Sequence, residues 1–182
     1  MSNTIEISMG GSGGQGLVLM GLIVAEAAGV YEGKQVTQSQ LYGPESRGGA
    51  SRSDVIISDE EIDYPEVEHP DVLFAFNQLS AMRFAPNLKK GGIVIYDSTF
   101  VSEPPAVEGQ AYELPITRIA REKVGREIVA NIVAVGVITV LTGIVSRDAV
   151  TRAVMGRVPK GTEEINRRAL QVGFEAAEAI MK

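Results

Sequence analysis

The sequence predicts a single α/β domain over residues 1–182, a three-layer α/β/α arrangement around a mostly parallel, Rossmann-like sheet. Three observations predict it. Segments of strand and helix character alternate along the chain. Two of the strand candidates, within DVLFAFN (71–77) and IVIYDST (93–99), carry near-continuous apolar runs, the mark of central strands covered on both faces. The first strand candidate, IEIS (5–8), runs into MGGSGGQG (9–16), where five of eight residues are glycine, and then into an apolar helix-like segment.

In chain order, residues 15–28 read as a helix rich in Leu, Met, Val and Ala. Gly21 inside it costs about 1 kcal/mol against Ala, which implies close packing of this helix on a strand. KQVTQSQ (34–40) is a more polar strand, suited to a sheet edge, and YGPESRGGAS (42–51) is a Gly- and Pro-rich loop. A strand is expected over Asp54–Ser58, closed by an acidic run. QLSAMRFAPNLKKGG fits a short helix ending before Gly91–Gly92. VEGQAYELPI holds a weaker strand, and TRIAREKVG a short amphipathic helix. From Ile128 to Ser146, 19 residues carry no charge. That length touches the threshold of roughly 18–20 residues for a membrane span, but Asn131, Thr139, Thr142, Gly136 and Gly143 dilute it, so a buried helix is expected. Such a helix must be covered all round, which suggests subunit contact as well as core. Ser146 suits the N-cap of the next helix, over RDAVTRAVMGRV. In the last one, Glu163 and Glu164 sit in the first turn, and Ile165, Ala169, Val172, Ala176 and Ile180 mark a buried stripe.

Composition narrows the function. The chain has 182 residues, 45% of them apolar, enough for one sizeable core. Its net charge of −6 argues against binding nucleic acid or an anionic membrane. There is no cysteine, so disulfides, thiolate catalysis and self-ligated iron–sulfur clusters are excluded, and one histidine, His69, cannot make a multi-histidine metal site. MSNTIEIS has neither the basic nor the apolar region of a signal peptide, so a cytoplasmic protein is expected. The acids Glu60, Glu61 and Asp63 read as a solvated strand end, and His69 as a surface loop residue.

The two glycine-rich loops hold the candidate site. Gly11, Gly13 and Gly16 match G-x-G-x-x-G between a strand and a helix, with Gly14 and Gln15 in the same turn. Backbone N–H groups there would attract a phosphate, whereas a structural reading gives the glycines only a tight turn and close helix packing. The acid that would hold a dinucleotide ribose, about 20 residues on, is missing, since QVTQSQ contains none, and no Lys follows Gly16 as a P-loop requires. In the second loop, Tyr42, Gly43, Gly48 and Gly49 surround Arg47, whose planar fork suits a carboxylate or phosphate, or else pairs with Glu45 or a partner subunit. In a parallel sheet both loops would leave the carboxyl ends of neighbouring strands, where such sheets bind ligands. Asn77 and Asp97 end the two strong strands, placed to face a ligand or to cap the following turn. Asn131, if buried, needs partners, and the backbone of a neighbouring loop is expected to supply them.

GGSGGQG, LYGPESRGGASRSDVIIS, IDYPEVEHPDVLFAFNQ and NIVAVGVI, in this order, resemble the gamma subunit of 2-oxoacid:ferredoxin oxidoreductases from residue 5 to about 180. The 2-oxoglutarate type is the most similar; pyruvate, branched 2-oxoacid and indolepyruvate enzymes carry similar polypeptides. The resemblance implies an assembly in which alpha and beta subunits hold thiamine diphosphate, a ferredoxin-like delta subunit and 4Fe–4S clusters pass electrons to ferredoxin, and coenzyme A takes the acyl group. It implies a non-catalytic role for this chain, with no cofactor bound by it alone. The glycine loops would then dock on the alpha and beta subunits and border the coenzyme A route, and the chain expressed alone, exposing a patch meant for partners, would self-associate or bind poorly soluble neighbours. The alternative reading is a free-standing nucleotide-binding module, regulatory or reductive.

Overall fold

The computed structural model describes residues 4–42 and 49–182. A six-stranded sheet is built from β1 (Ile5–Gly11), β2 (Gln35–Leu41), β3 (Ser51–Ser58), β4 (Val72–Ala75), β5 (Ile93–Asp97) and β6 (Gln110–Leu114) in the order β2-β3-β1-β4-β5-β6. The polar β2 lies at an edge, as its composition predicts. β1, β4, β5 and β6 run parallel. β3 is antiparallel to both of its neighbours, so this half of the sheet departs from the parallel expectation. The reason is length: the connection from Leu41 to Ser51 is too short for the dozen or so residues a parallel crossover requires, so the chain turns back as a hairpin.

The two faces of the sheet are covered unequally. On one lie α1 (Leu17–Glu26), continued by a π-turn over Ala27–Tyr31, with α4 (Ala130–Thr142), α5 (Arg147–Arg157) and α6 (Glu163–Ile180). Ile7, Met9, Val55, Ile57, Phe74 and Ile95 point into this thick layer. The other face carries Leu73, Ala75, Val94 and Tyr96 under α2 (Gln78–Phe84), a helix of seven residues. Loops complete that thinner layer: Arg52 Nη2 donates to Val67 O at 3.0 Å, and the Tyr96 hydroxyl donates to Pro105 O at 3.1 Å. After β6, a short helix α3 (Ile116–Ile119) and a π-turn over Ala120–Val124 form the predicted amphipathic segment.

The uncharged segment forms α4, preceded by a 3-10 turn over Glu127–Val129 and stopped at Gly143, whose φ of 64° ends the helix. Nearly all its residues are buried, and α1, α3, α5 and α6 of the same chain do the covering. The expectation that α4 needs a second subunit is therefore corrected: the chain encloses this helix itself. α6 crosses it most closely. A Cβ on Gly136 would lie 2.6 Å from Leu170 O, and one on Gly173 would lie 2.3 Å from Val133 O, so the two backbones touch where both residues lack side chains. Of the expected stripe on α6, Ala169 and Val172 are buried, Ile165 and Ala176 are partly buried against the core and Ile180 is exposed, and the buried face also takes in Asn166, Leu170, Gly173, Phe174 and Ala177. Gly21 packs as its position in α1 implies, since a Cβ there would meet Ser53 Oγ at 2.2 Å. Among the described residues no helix is long and apolar enough to cross a membrane.

Candidate functional site

β1 extends three residues beyond the strand expected from sequence, so Gly10 and Gly11 are strand residues and the turn itself is residues 12–16. Four of the five glycines have a structural cause. A Cβ on Gly10 would lie 2.7 Å from the Phe84 ring of α2, and one on Gly11 would lie 2.6 Å from Gln15 Oε1. Gly14 and Gly16 have φ of 87° and 76°, a left-handed conformation that side chains disfavour. A Cβ on Gly16 would also lie 2.4 Å from Asn131 Nδ2. Gly13 is exposed and its missing side chain would meet nothing.

The turn is held by polar contacts from α2. Gln15 Oε1 accepts the Ser12 N–H at 2.7 Å, and Asn77 Nδ2 donates to Ser12 Oγ at 2.8 Å and to Gln15 Oε1 at 3.3 Å. Asn77 is at the same time the N-cap of α2, with Oδ1 accepting the Ser80 N–H at 2.9 Å. These bonds bridge the crevice between β1 and β4, the point where α1 and α2 leave to opposite faces and where open α/β sheets take ligands. Ser12 N–H is used within the turn. α1 begins at Leu17 behind its N-cap Gly16, without a side-chain cap or an acid in its first turn, so no side chain takes the N–H groups of that turn, and with the exposed Gly13–Gly14 tip they suit an anion.

Asn131, 7% exposed, reaches this turn from the start of α4. Its amide packs against Gly16. The hydrogen bonds to a neighbouring loop's backbone expected of it are not formed among the described residues, and it instead lines two cavities. One, of about 240 Å³, is bounded by Gly14, Gln15, Phe76, Phe100, Thr117 and Ile128 at the carboxyl ends of β1, β4 and β5. The other, of about 850 Å³, opens between Gly14–Gly16, Ile128 and the α5–α6 connection. Asp97 serves the fold: it is fully buried, and its carboxylate accepts the N–H groups of Thr99 and Thr117, both at 3.0 Å, closing the turn after β5 and starting α3.

Gly43, Arg47 and Gly48, with Glu45, lie outside the described residues. Tyr42 and Gly49 flank them, Tyr42 71% exposed and Gly49 partly buried. The two loops do leave the same end of the sheet, although β3 separates β2 from β1, because β3 is antiparallel to both. Gly11 pairs with Ser51, which brings the second loop back beside the glycine turn. A dinucleotide ribose site is not formed, since β3 takes the place beside β1 and β2 ends in Gln40–Leu41 without an acid.

Sequence reasoning missed a buried polar group beneath these loops. Ser8 and Asp54 face each other across β1 and β3, and Ser8 Oγ donates to Asp54 Oδ1 at 2.7 Å. Arg52 Nε lies 2.9 Å from Asp54 Oδ2, close enough for charge attraction but off the axis of a good hydrogen bond. Burial raises the Asp54 carboxyl above its ordinary 3.8, against the opposing pull of Ser8 and Arg52. Period-two spacing places Arg52 and Asp54 on one face, but their meeting with Ser8 depends on strand register.

The pyruvate ferredoxin/flavodoxin oxidoreductase family model matches residues 6–176. The chain belongs to this family. It is similar to the 2-oxoglutarate synthase subunit KorC of Methanocaldococcus jannaschii, with 46% identity over 177 residues covering 96% of this chain and 95% of that one. It also resembles the crystal structure of a keto/oxoacid ferredoxin oxidoreductase gamma subunit from Geobacter sulfurreducens (TM-score 0.88, 48% identity, 96% of this chain and 99% of the other). The same fold recurs in a 2-oxoglutarate:ferredoxin oxidoreductase from Magnetococcus marinus with 2-oxoglutarate, coenzyme A and succinyl-CoA bound. There the TM-score is 0.84 and the identity 24%, and 97% of this chain matches 31% of a longer one. Homologues of the chain are thus gamma subunits of multi-subunit oxidoreductases, and the three-layer α/β fold is theirs.

Proposed function

We propose that the chain is the accessory gamma subunit of a 2-oxoglutarate:ferredoxin oxidoreductase, which converts a 2-oxoacid, coenzyme A and oxidised ferredoxin to acyl-CoA, CO2 and reduced ferredoxin. The observation that carries the reading is the similarity to KorC over almost the whole of both chains. The residues agree with a supporting role. With no cysteine the chain has no thiolates with which to ligate 4Fe–4S clusters. The alpha and beta subunits would hold thiamine diphosphate, which supplies the nucleophilic carbon that cleaves the 2-oxoacid, and a ferredoxin-like delta subunit would relay the electrons.

This chain's part is then to bind and position. The free N–H groups at the start of α1, the Gly13–Gly14 tip and the Asn131 amide form a donor-rich wall at the carboxyl end of the sheet. That wall suits a phosphate group of coenzyme A, with Arg47 of the neighbouring loop as its counter-charge.

Two measurements test the reading. The chain recovered from its native cell should bring two larger thiamine-type subunits and a small cysteine-rich one with it; recovery alone overturns the assignment. In the assembled enzyme, Arg47→Ala should raise the KM for coenzyme A by about tenfold, the loss of one charge-assisted contact, while leaving the KM for the 2-oxoacid unchanged. An unchanged coenzyme A KM removes the anion role of this loop and leaves the subunit assignment standing.

A further inference from the structure

We infer that the thin α2 face of the sheet is the surface that binds the companion catalytic subunit, and that the partner presents an apolar patch rimmed by basic side chains. This rests on the subunit reading above and adds to it which face docks and against what chemistry.

The argument begins with the unequal layers. One face of the sheet is buried under four helices, the other under a single helix of seven residues and the loops beside it. That helix turns large apolar side chains outward: Leu79 and Met82, one helical step apart, are 51% and 63% exposed. Their surroundings continue the patch. Gln78 Nε2 donates to Glu103 O at 2.7 Å, and its Oε1 accepts the N–H groups of Ser102 and Glu103, which ties the segment after β5 to the start of α2; exposed Phe100 lies in that segment, at the edge of the cavity beside Gly14 and Gln15. At the other end, exposed Leu41 and Tyr42 line a cleft with Arg83 and Phe84 of α2. Isolated exposed hydrophobics are ordinary, but an apolar set joined across one helix and the two segments packed on it marks an interaction surface.

The segment 59–68 sets the charge. It lies against the same face, tied there by the bond from Arg52 to Val67 O and by His69 Nδ1 contacting Asn87 O at 3.2 Å. It carries Asp59, Glu60, Glu61, Asp63, Glu66 and Glu68, all exposed, around exposed Tyr64. Lys34 pairs with Asp59, and no cation among the described residues pairs with the other five. A second copy of this chain would bring the same acids against them, so self-association through this face is disfavoured and a basic partner is favoured. The fold's occurrence as 31% of a longer chain in the Magnetococcus structure likewise points to a different module as its neighbour.

The test uses the assembled enzyme, with the chain co-expressed with the companions recovered from its native cell. Leu79→Glu and Met82→Glu should each reduce the recovered complex by at least about tenfold, as expected when a charge is placed in an apolar contact. Because both side chains are exposed, the free variants should unfold at the wild-type temperature. Val30→Glu, also exposed but on the opposite layer, should assemble normally. Glu60→Lys/Glu61→Lys should slow association and weaken its dependence on salt. Wild-type recovery of complex by both α2 variants overturns the proposal while leaving the subunit reading intact. Loss of self-association alone, with complex formation kept, assigns the face to a second copy and overturns it equally. If even the wild-type chain recovers no companion, both readings fall together.

Discussion

At Gly16 two independent constraints meet: a φ of 76° and an Asn131 amide 2.4 Å from where a Cβ would sit. Gly16→Ala should therefore cost about 2–4 kcal/mol, combining backbone strain with overpacking. Adding Asn131→Ala should recover only the packing share, measured as a coupling in a double-mutant cycle by denaturant unfolding. Gly13→Ala should stay within about 0.5 kcal/mol of wild type, because its side chain would enter open space. A loss of coenzyme A affinity in that variant without a loss of stability would locate the anion at the Gly13–Gly14 tip. Asp54 offers a second residue-scale test. Its folded pKa is raised by burial, so its contribution to stability is fully present below the ordinary 3.8 and is lost as pH rises through the folded value. Wild-type stability relative to Asp54→Asn should accordingly fall across that window, as read from urea unfolding at successive pH values. The motif G-x-G-x-x-G was legible in the sequence, but the cause of each glycine was not. Gly10 and Gly16 are shaped by Phe84 and Asn131, residues remote in the chain, and Asp54 became visible only with strand register.

At the scale of elements, the apolar runs correctly announced β4 and β5, and the caps announced α5 and α6: Ser146 Oγ accepts the Ala149 N–H at 3.2 Å, and Glu163–Glu164 open the last helix. The mostly parallel sheet was legible, but the single reversed strand, β3, was not. A signal for it did exist, since the short connection from Leu41 to Ser51 cannot hold a crossover helix, but the alternation of strands and helices elsewhere outweighed it. α4 was read correctly as buried, and incorrectly as needing another chain, because composition reports that a helix is covered and not by what. The largest part of the cover is α6, at a crossing where Gly136 and Gly173 bring backbone onto backbone. Gly136→Ala or Gly173→Ala should each force the helices apart and cost about 1–3 kcal/mol, seen as a lower urea midpoint with an unchanged slope.

For the whole molecule, the chain is a scaffold with one heavily built face and one lightly built face, its glycine loops gathered at a single end of the sheet. It carries no cysteine, and its buried acids Asp54 and Asp97 are engaged in the fold, with Ser8 and Arg52 and with Thr99 and Thr117, so turnover of a 2-oxoacid should be undetectable for the isolated polypeptide and appear only on reconstitution with its companions. An assay of the purified chain with 2-oxoglutarate, coenzyme A and an artificial electron acceptor checks this. The position of α6 has a consequence for proteolytic life. It is made after α4 and α5, and it shields a helix with no charged side chain. Until the eighteen residues of α6 dock, the growing chain presents α4 to solvent like an unpaired greasy strip. A stop codon anywhere before Glu163 should thus yield aggregates or rapid clearance rather than a smaller working subunit.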